Sequence, residues 1–137
     1  MAKKKSKKEN IQVIIPGNHP NPPEPHEVDV ALLLSRHYQT TVEFLVPIDD
    51  YMRKSADILM LGVEWEVKSP KGASKSTIGT QFRRASMQAA NIVLDTRRTK
   101  LKYDRIEKQV IIEAKQRTSL NKVILINKSG EIVEIKK

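Results

Sequence analysis

The fold is decided by residues 56 to 68, whose sequence is ADILMLGVEWEVK. Two apolar runs, 56 to 61 and 63 to 68, lie on either side of Gly62. Short apolar runs separated by a glycine are typical of two strands joined by a tight turn, because glycine readily adopts the positive φ that such turns need. The stretch therefore predicts a β-hairpin.

The second strand of this hairpin carries charged side chains on one face. Alternation with period two places Glu64, Glu66 and Lys68 on the face opposite Trp65. Asp57 begins the first strand, so we expect the turn to bring its carboxylate close to this charged face. Two carboxylates suit Mg²⁺, which prefers hard oxygen ligands, and a neighbouring lysine can orient or deprotonate a water molecule. The alternative is an exposed strand face with cross-strand ion pairs.

Glu-x-Lys pairs arise easily in a lysine-rich chain, and the pattern recurs at residues 113–115 and 134–136. The first recurrence lies on a predicted helix and the second at the end of the chain. Only Glu66 and Lys68 follow a predicted hairpin that has an acidic residue upstream. This context, and not the pair alone, makes them the candidate site.

Helices and strands are predicted on both sides of the hairpin. The order is helix, strand, hairpin, helix, strand, helix and a terminal strand pair, which is typical of α/β or α+β proteins whose helices cover a sheet. The elements outside the hairpin are helices over 26–38, 77–90 and 104–117, and strands over 41–46, 91–95, 123–126 and 132–135.

The predicted helix over 77–90 has an apolar stripe and a polar stripe. The apolar stripe consists of Ile78, Phe82, Ala85 and Ala89. The polar stripe consists of Thr77, Gln81, Arg84 and Gln88. Because residues three and four apart share a helix face, we expect the polar stripe to flank the acidic strand and hold a phosphate. A solvated helix face is the alternative.

The charge of the chain indicates a polyanionic partner. It has 25 Lys and Arg against 16 Asp and Glu, a formal net charge of +9 in 137 residues. Nucleic acid is the first candidate and an anionic membrane surface the second. Several cations can extend a surface for a phosphate backbone, or are ordinary solvent-facing charge. They are Lys71, Arg83, Arg97, Arg98, Lys100 and Lys102.

The first 25 residues differ in composition from the rest. Five lysines fall within residues 1–8, and five of the seven prolines fall within residues 16–25. We interpret residues 1–25 as a basic tail and Pro-rich linker, and residues 26–137 as one nuclease-like domain. The tail is either a disordered solubilising segment or a phosphate-binding arm. The stretch IQVII, residues 11–15, is either a strand or a docking arm.

Several classes of protein are excluded by what the sequence lacks. The chain has no cysteine, so a disulfide framework, a thiolate zinc site and a cysteine nucleophile are all excluded. No apolar run has the length of a signal peptide or of a membrane span, so we expect a soluble, cytoplasmic protein. His19, His26 and His37 lack ligand-like spacing, and no Gly-rich phosphate loop is present.

Residues 55–98, SADILMLGVEWEVKSPKGASKSTIGTQFRRASMQAANIVLDTRR, resemble the core of the PD-(D/E)XK nuclease superfamily. They are similar in particular to the tRNase domains at the C-termini of contact-dependent growth inhibition toxins. The resemblance covers His26 to about Lys100. It implies an α/β fold with a restriction-endonuclease-like αβββαβ core, in which helices flank a mixed central sheet.

The resemblance also implies roles for individual residues. Asp57 and Glu66 match the two metal-binding acids and Lys68 the motif lysine, while Ala56 stands where the motif has proline. In the implied mechanism the backbone carbonyl of Val67 completes the metal site, and Gln81 and Arg84 contact the scissile phosphate. Glu27 matches an additional acid on the first helix, or is an acid that interacts with the helix dipole.

We therefore expect a nuclease that hydrolyses phosphodiester bonds with Mg²⁺ or Mn²⁺. RNA is the favoured substrate, tRNA above all, and an immunity protein is a further partner that the resemblance implies. A DNA endonuclease or junction resolvase of the same fold is the alternative. A non-catalytic basic module that binds nucleic acid, in which the charged strand face is structural, also stays open.

Overall fold

The computed structural model describes residues 12–47 and 56–136. The predicted Lys-rich tail lies outside the described residues. The helices and strands within them are β1 (Gln12–Ile14), α1 (Pro25–Tyr38), β2 (Thr41–Phe44), β3 (Ile58–Met60), β4 (Val63–Lys68), α2 (Thr77–Ser86), β5 (Asn91–Asp95), α3 (Tyr103–Gln116), β6 (Lys122–Ile126) and β7 (Ile132–Lys136). From α1 to β5 their order is αβββαβ, which confirms the predicted fold class.

The chain forms two compact units, one that ends at Glu64 and one that begins at Trp65. The boundary that the sequence suggests after residue 25 stays a prediction. In the described ranges, 12–47 and 56–136, no helix has the length and apolar character needed to span a bilayer.

The first unit contains α1 and a small mixed sheet. In this sheet β1 runs parallel to β2, and β2 runs antiparallel to β3. Ser35, a fully buried residue of α1, accepts a hydrogen bond of 2.9 Å from the backbone N–H of Gln12 and so ties β1 to the helix. Residues 12–14 of the IQVII stretch are therefore a strand, one of the two interpretations that the sequence left open.

The turn between β3 and β4 explains why the hairpin was visible in the sequence. Leu61 and Gly62 both have positive φ, of 55° and 77°. Two successive residues with positive φ belong to the turn type whose twist matches that of hairpin strands. The predicted tight turn at Gly62 is confirmed.

The second unit contains a mixed sheet and two helices. Strands β4, β5 and β6 are parallel, and β7 is antiparallel to β6. Helices α2 and α3 cover the sheet with apolar side chains, and each buried Val, Leu, Ile or Phe contributes roughly 1.5–3 kcal/mol to folding. The core they form with the sheet consists of Ile78, Phe82, Ala85, Ile106, Val110, Ala114, Leu120, Ile92, Leu94, Val123 and Leu125.

Helix α2 ends at Ser86, four residues earlier than predicted. The Ser86 hydroxyl donates to the backbone carbonyl of Arg83, and a side chain that bonds the backbone in this way competes with helix continuation. The backbone N–H groups of Met87 and Gln88 bond to carbonyls three residues back, which closes the helix. Gln88 and Ala89 therefore lie outside the helix, and their predicted places in its stripes are wrong.

Candidate active site

The charged strand face contains an ion pair between a buried carboxylate and a half-buried lysine. Lys68 Nζ lies 3.0 Å from Glu66 Oε2, and the two side chains are 21% and 4% exposed. The contact shows that residues 66 and 68 share a face of β4, as predicted. Glu64, by contrast, is exposed. Burial of a charge is costly unless the charge is paired, so Glu66 differs from a carboxylate on an ordinary solvated strand face.

The parallel ladder between β4 and β5 positions this pair. Glu66 is opposite Ile92 and Lys68 is opposite Leu94, both in a fully buried stretch of β5. The side chain of Lys68 thus lies at the carboxyl end of β4. Val67, whose carbonyl is a predicted metal ligand, is half-buried between them. Its role as a ligand stays a prediction.

Asp57 belongs to the first unit. It is half-buried and immediately precedes β3, and its backbone carbonyl accepts a hydrogen bond of 2.9 Å from the N–H of Leu45. Ala56, which stands at the proline position of the motif, is 5% exposed. The structure thus brings Glu66 and Lys68 together, whereas the approach of the Asp57 carboxylate to Glu66 stays a prediction.

Residues of α2 that were predicted to contact nucleic acid fall into two groups. Gln81 is half-buried and Arg84 is exposed, and neither side chain forms a hydrogen bond or ion pair within the described residues. Thr77 has a local role: its hydroxyl accepts a hydrogen bond of 3.1 Å from the N–H of Ser74. A Cβ on Gly72 would lie 2.8 Å from that hydroxyl, so the loop entering α2 fits closely around Thr77.

Arg97 is held by a buried acid that sequence reasoning missed. Its guanidinium donates two hydrogen bonds to the carboxylate of Asp95, of 2.9 and 3.0 Å. Asp95 is 1% exposed and ends β5. An acid directly after the apolar run Ile92–Leu94 is the signal that was available. Lys71 and Arg83 are exposed and Arg98 is half-buried, and their contacts with nucleic acid stay predictions.

Glu27 has a structural role at the start of α1. Its Oε1 accepts a hydrogen bond of 2.8 Å from the N–H of Glu24, and the Glu24 side chain completes a capping box. Glu24, His26 and Glu27 each place a ligand-type atom within 4.8 Å of the others. Helix capping accounts for this cluster. It supports the interpretation of Glu27 as an acid at the helix N-terminus.

The described helices and strands give a mixed α/β architecture, which is consistent with a nuclease-like fold. The family model of the contact-dependent growth inhibition CdiA C-terminal domain matches residues 54–132, more than half of the chain. The chain belongs to this family, and its membership indicates a toxin domain.

A solved structure supports the fold. The CdiA-CT/CdiI toxin and immunity complex from Burkholderia pseudomallei contains a chain that is similar to this one, with a TM-score of 0.58 and 21% sequence identity. The match covers 92% of this chain and 99% of that chain. At this level of identity the likeness concerns the fold alone. A comparison with curated proteins gave no match.

Proposed function

We propose that this chain is a toxin nuclease of the PD-(D/E)XK type that hydrolyses phosphodiester bonds in RNA, with tRNA as the favoured substrate. The observation that supports the proposal most is the buried Glu66–Lys68 pair on β4. A buried carboxylate next to a lysine at the end of a strand is an arrangement that can hold a cation and a water molecule together.

The residues present fit a hard divalent cation. Asp57, Glu66 and the carbonyl of Val67 would hold Mg²⁺ or Mn²⁺, because all three offer oxygen ligands. When bound, such an ion polarises a phosphoryl oxygen and lowers the pKa of a bound water. The contribution of Asp57 rests on spacing. Asp57 stands at the start of the apolar run before Gly62, and Glu66 lies in the run after it.

The remaining site residues would position water and substrate. Lys68 would orient the attacking water through its N–H groups, at hydrogen-bond distance from Glu66. Gln81 and Arg84 would donate to the scissile phosphate. The guanidinium of Arg84 offers five N–H donors, enough for two parallel hydrogen bonds to one phosphate group.

The partners follow from charge and family. A net charge of +9 suits RNA, and we place the activity in the cytoplasm of the cell that receives the toxin. The neighbouring structure is a toxin and immunity complex, which supports an immunity protein as a further partner of this chain. A DNA endonuclease or junction resolvase uses the same residue types and is the alternative.

One incubation series tests the proposed function. The protein is mixed with total tRNA, plasmid DNA and single-stranded DNA, each with Mg²⁺ or with a chelator. We expect cleavage of tRNA in Mg²⁺ and none in chelator. Cleavage of DNA alone would favour the alternative enzyme, and cleavage in chelator would contradict the metal site. Absence of both metal binding and cleavage would favour the non-catalytic module, in which the charged strand face is structural.

A further inference from the structure

An open cavity of about 360 Å³ lies between α2 and α3 in the second unit. We call it the α2–α3 cleft. Its volume lies within the range of small-ligand sites, about 300–1,000 Å³. None of its lining side chains is apolar: they are those of Lys75, Ser76, Thr80, Arg83, Gln109 and Arg117, together with Gly79.

A buried carboxylate orders two donors of this cleft. Glu113, which is 8% exposed, accepts hydrogen bonds of 2.8 Å from Gln109 Nε2 and from Arg117 Nε. A Cβ on Gly79 would lie 3.5 Å from Glu113 Oε2, so the carboxylate lies directly beside the first turn of α2. Within the described residues Arg117 uses only its Nε for hydrogen bonding, so its two terminal NH₂ groups can donate to a ligand.

Among the described residues, the other two cations of the cleft have no acidic partner. Lys75 and Arg83 are exposed, and neither side chain forms an ion pair or hydrogen bond within the part of the chain that the structure describes. The cleft is therefore lined by three cations, of which only Arg117 has a carboxylate partner among the described residues. A smaller cavity of about 50 Å³ shares Lys75 and Gln109 with the cleft and adds Arg105, which extends the positive surface along α3.

We propose that the α2–α3 cleft binds backbone phosphates of RNA, at a position built from residues other than Asp57, Glu66 and Lys68. The proposal rests on the proposed function only in that the ligand is the same nucleic acid. Arginine, lysine, hydroxyl and amide side chains are the groups that commonly contact phosphates. The centres of protein interfaces are enriched in aromatic residues, and the lining of the cleft contains none.

Binding to a labelled RNA hairpin, measured by fluorescence anisotropy in chelator, tests the proposal without any cleavage. The cleft variant is Lys75→Gln with Arg83→Gln. The matched control is Lys108→Gln with Lys115→Gln, which removes two exposed cations of α3 that do not line the cleft. Both variants lose the same charge, and the single Arg83→Gln and Lys108→Gln variants repeat the comparison if either double variant unfolds.

We expect only the cleft variant to bind RNA more weakly. Its plot of log affinity against log salt should become shallower by about 1 for each cation removed, because fewer counterions are released. Equal slopes for the cleft and control variants would overturn the proposal. Wild-type protein that binds RNA through the cleft but cleaves nothing would instead contradict the proposed nuclease function alone.

Discussion

Lys68 Nζ lies 3.0 Å from Glu66 Oε2, and this carboxylate is almost completely removed from solvent. In the proposed mechanism Glu66 would be a cation ligand and Lys68 would position water, within two residues of one strand. Substitution of one residue at a time can test the two residues separately, because each has a different proposed role.

Replacement of the lysine should separate metal binding from chemistry. In Lys68→Ala the oxygen ligands stay, so we expect Mn²⁺ binding, measured by calorimetric titration, to be retained. Cleavage should be lost, because no group then orients the water. The exposed Lys71 provides the control, and Lys71→Ala should cleave at the wild-type rate. Loss of Mn²⁺ binding in a folded Lys68→Ala protein would contradict the assigned role.

Cleavage should require the guanidinium group of Arg84 and not only its positive charge. Lysine cannot donate two parallel hydrogen bonds to one phosphate, so Arg84→Lys should lower the cleavage rate at saturating RNA and Mg²⁺. Arg83→Lys should leave this rate nearly unchanged, because Arg83 lines the α2–α3 cleft, for which we propose a role in binding. Equal effects at the two positions would mean that α2 supplies only diffuse charge.

The Lys-rich tail should act as an electrostatic arm. Deletion of residues 1–8 removes five positive charges, so we expect weaker RNA binding at low salt and a flatter salt dependence. The cleavage rate at saturating RNA should barely change. If the salt dependence is the same with and without these residues, the tail is only a solubilising segment.

Tyr103 should make stability depend on alkaline pH. Burial raises the pKa of Tyr103 from 10.0 to about 12, and the nearby carboxylates of Glu107 and Asp104 add to the effect. Since the folded state holds this proton more tightly, the stabilisation is complete below pH 10.0 and is lost as the pH rises to about 12. Urea denaturation of wild type and Tyr103→Phe over this range measures it. A difference between the two that does not vary with pH would contradict the assignment.

The sequence predicted the fold correctly where a single local sequence feature determines the structure. Strand β5 has the predicted bounds, because NIVLD is a short β-favouring run buried at every position. The hairpin was visible because of its glycine. The end of α2 was not predicted because it depends on a hydrogen bond from the Ser86 side chain. A serine occurs both within helices and at their ends, so the sequence alone does not show which of the two applies.

The sequence predicted the candidate site only where its residues lie on the same helix or strand. Alternation on β4 predicted that Glu66 and Lys68 share a face, and it could not predict the burial of the carboxylate. The pair of Asp95 and Arg97 depends on how the chain turns after β5, which has no periodic pattern. The α2–α3 cleft unites side chains from two helices far apart in sequence, so only the packing of those helices reveals it.

The most direct test of the central claim is the single-turnover rate of tRNA cleavage in Mg²⁺ for Glu66→Gln beside Glu64→Gln. Both changes remove one carboxylate from β4, but only Glu66 is buried and paired with Lys68. We expect Glu66→Gln to fold and to lose cleavage, as Asp57→Ala should, while Glu64→Gln stays active. Cleavage at the wild-type rate by a clean preparation of Glu66→Gln would contradict the proposed site.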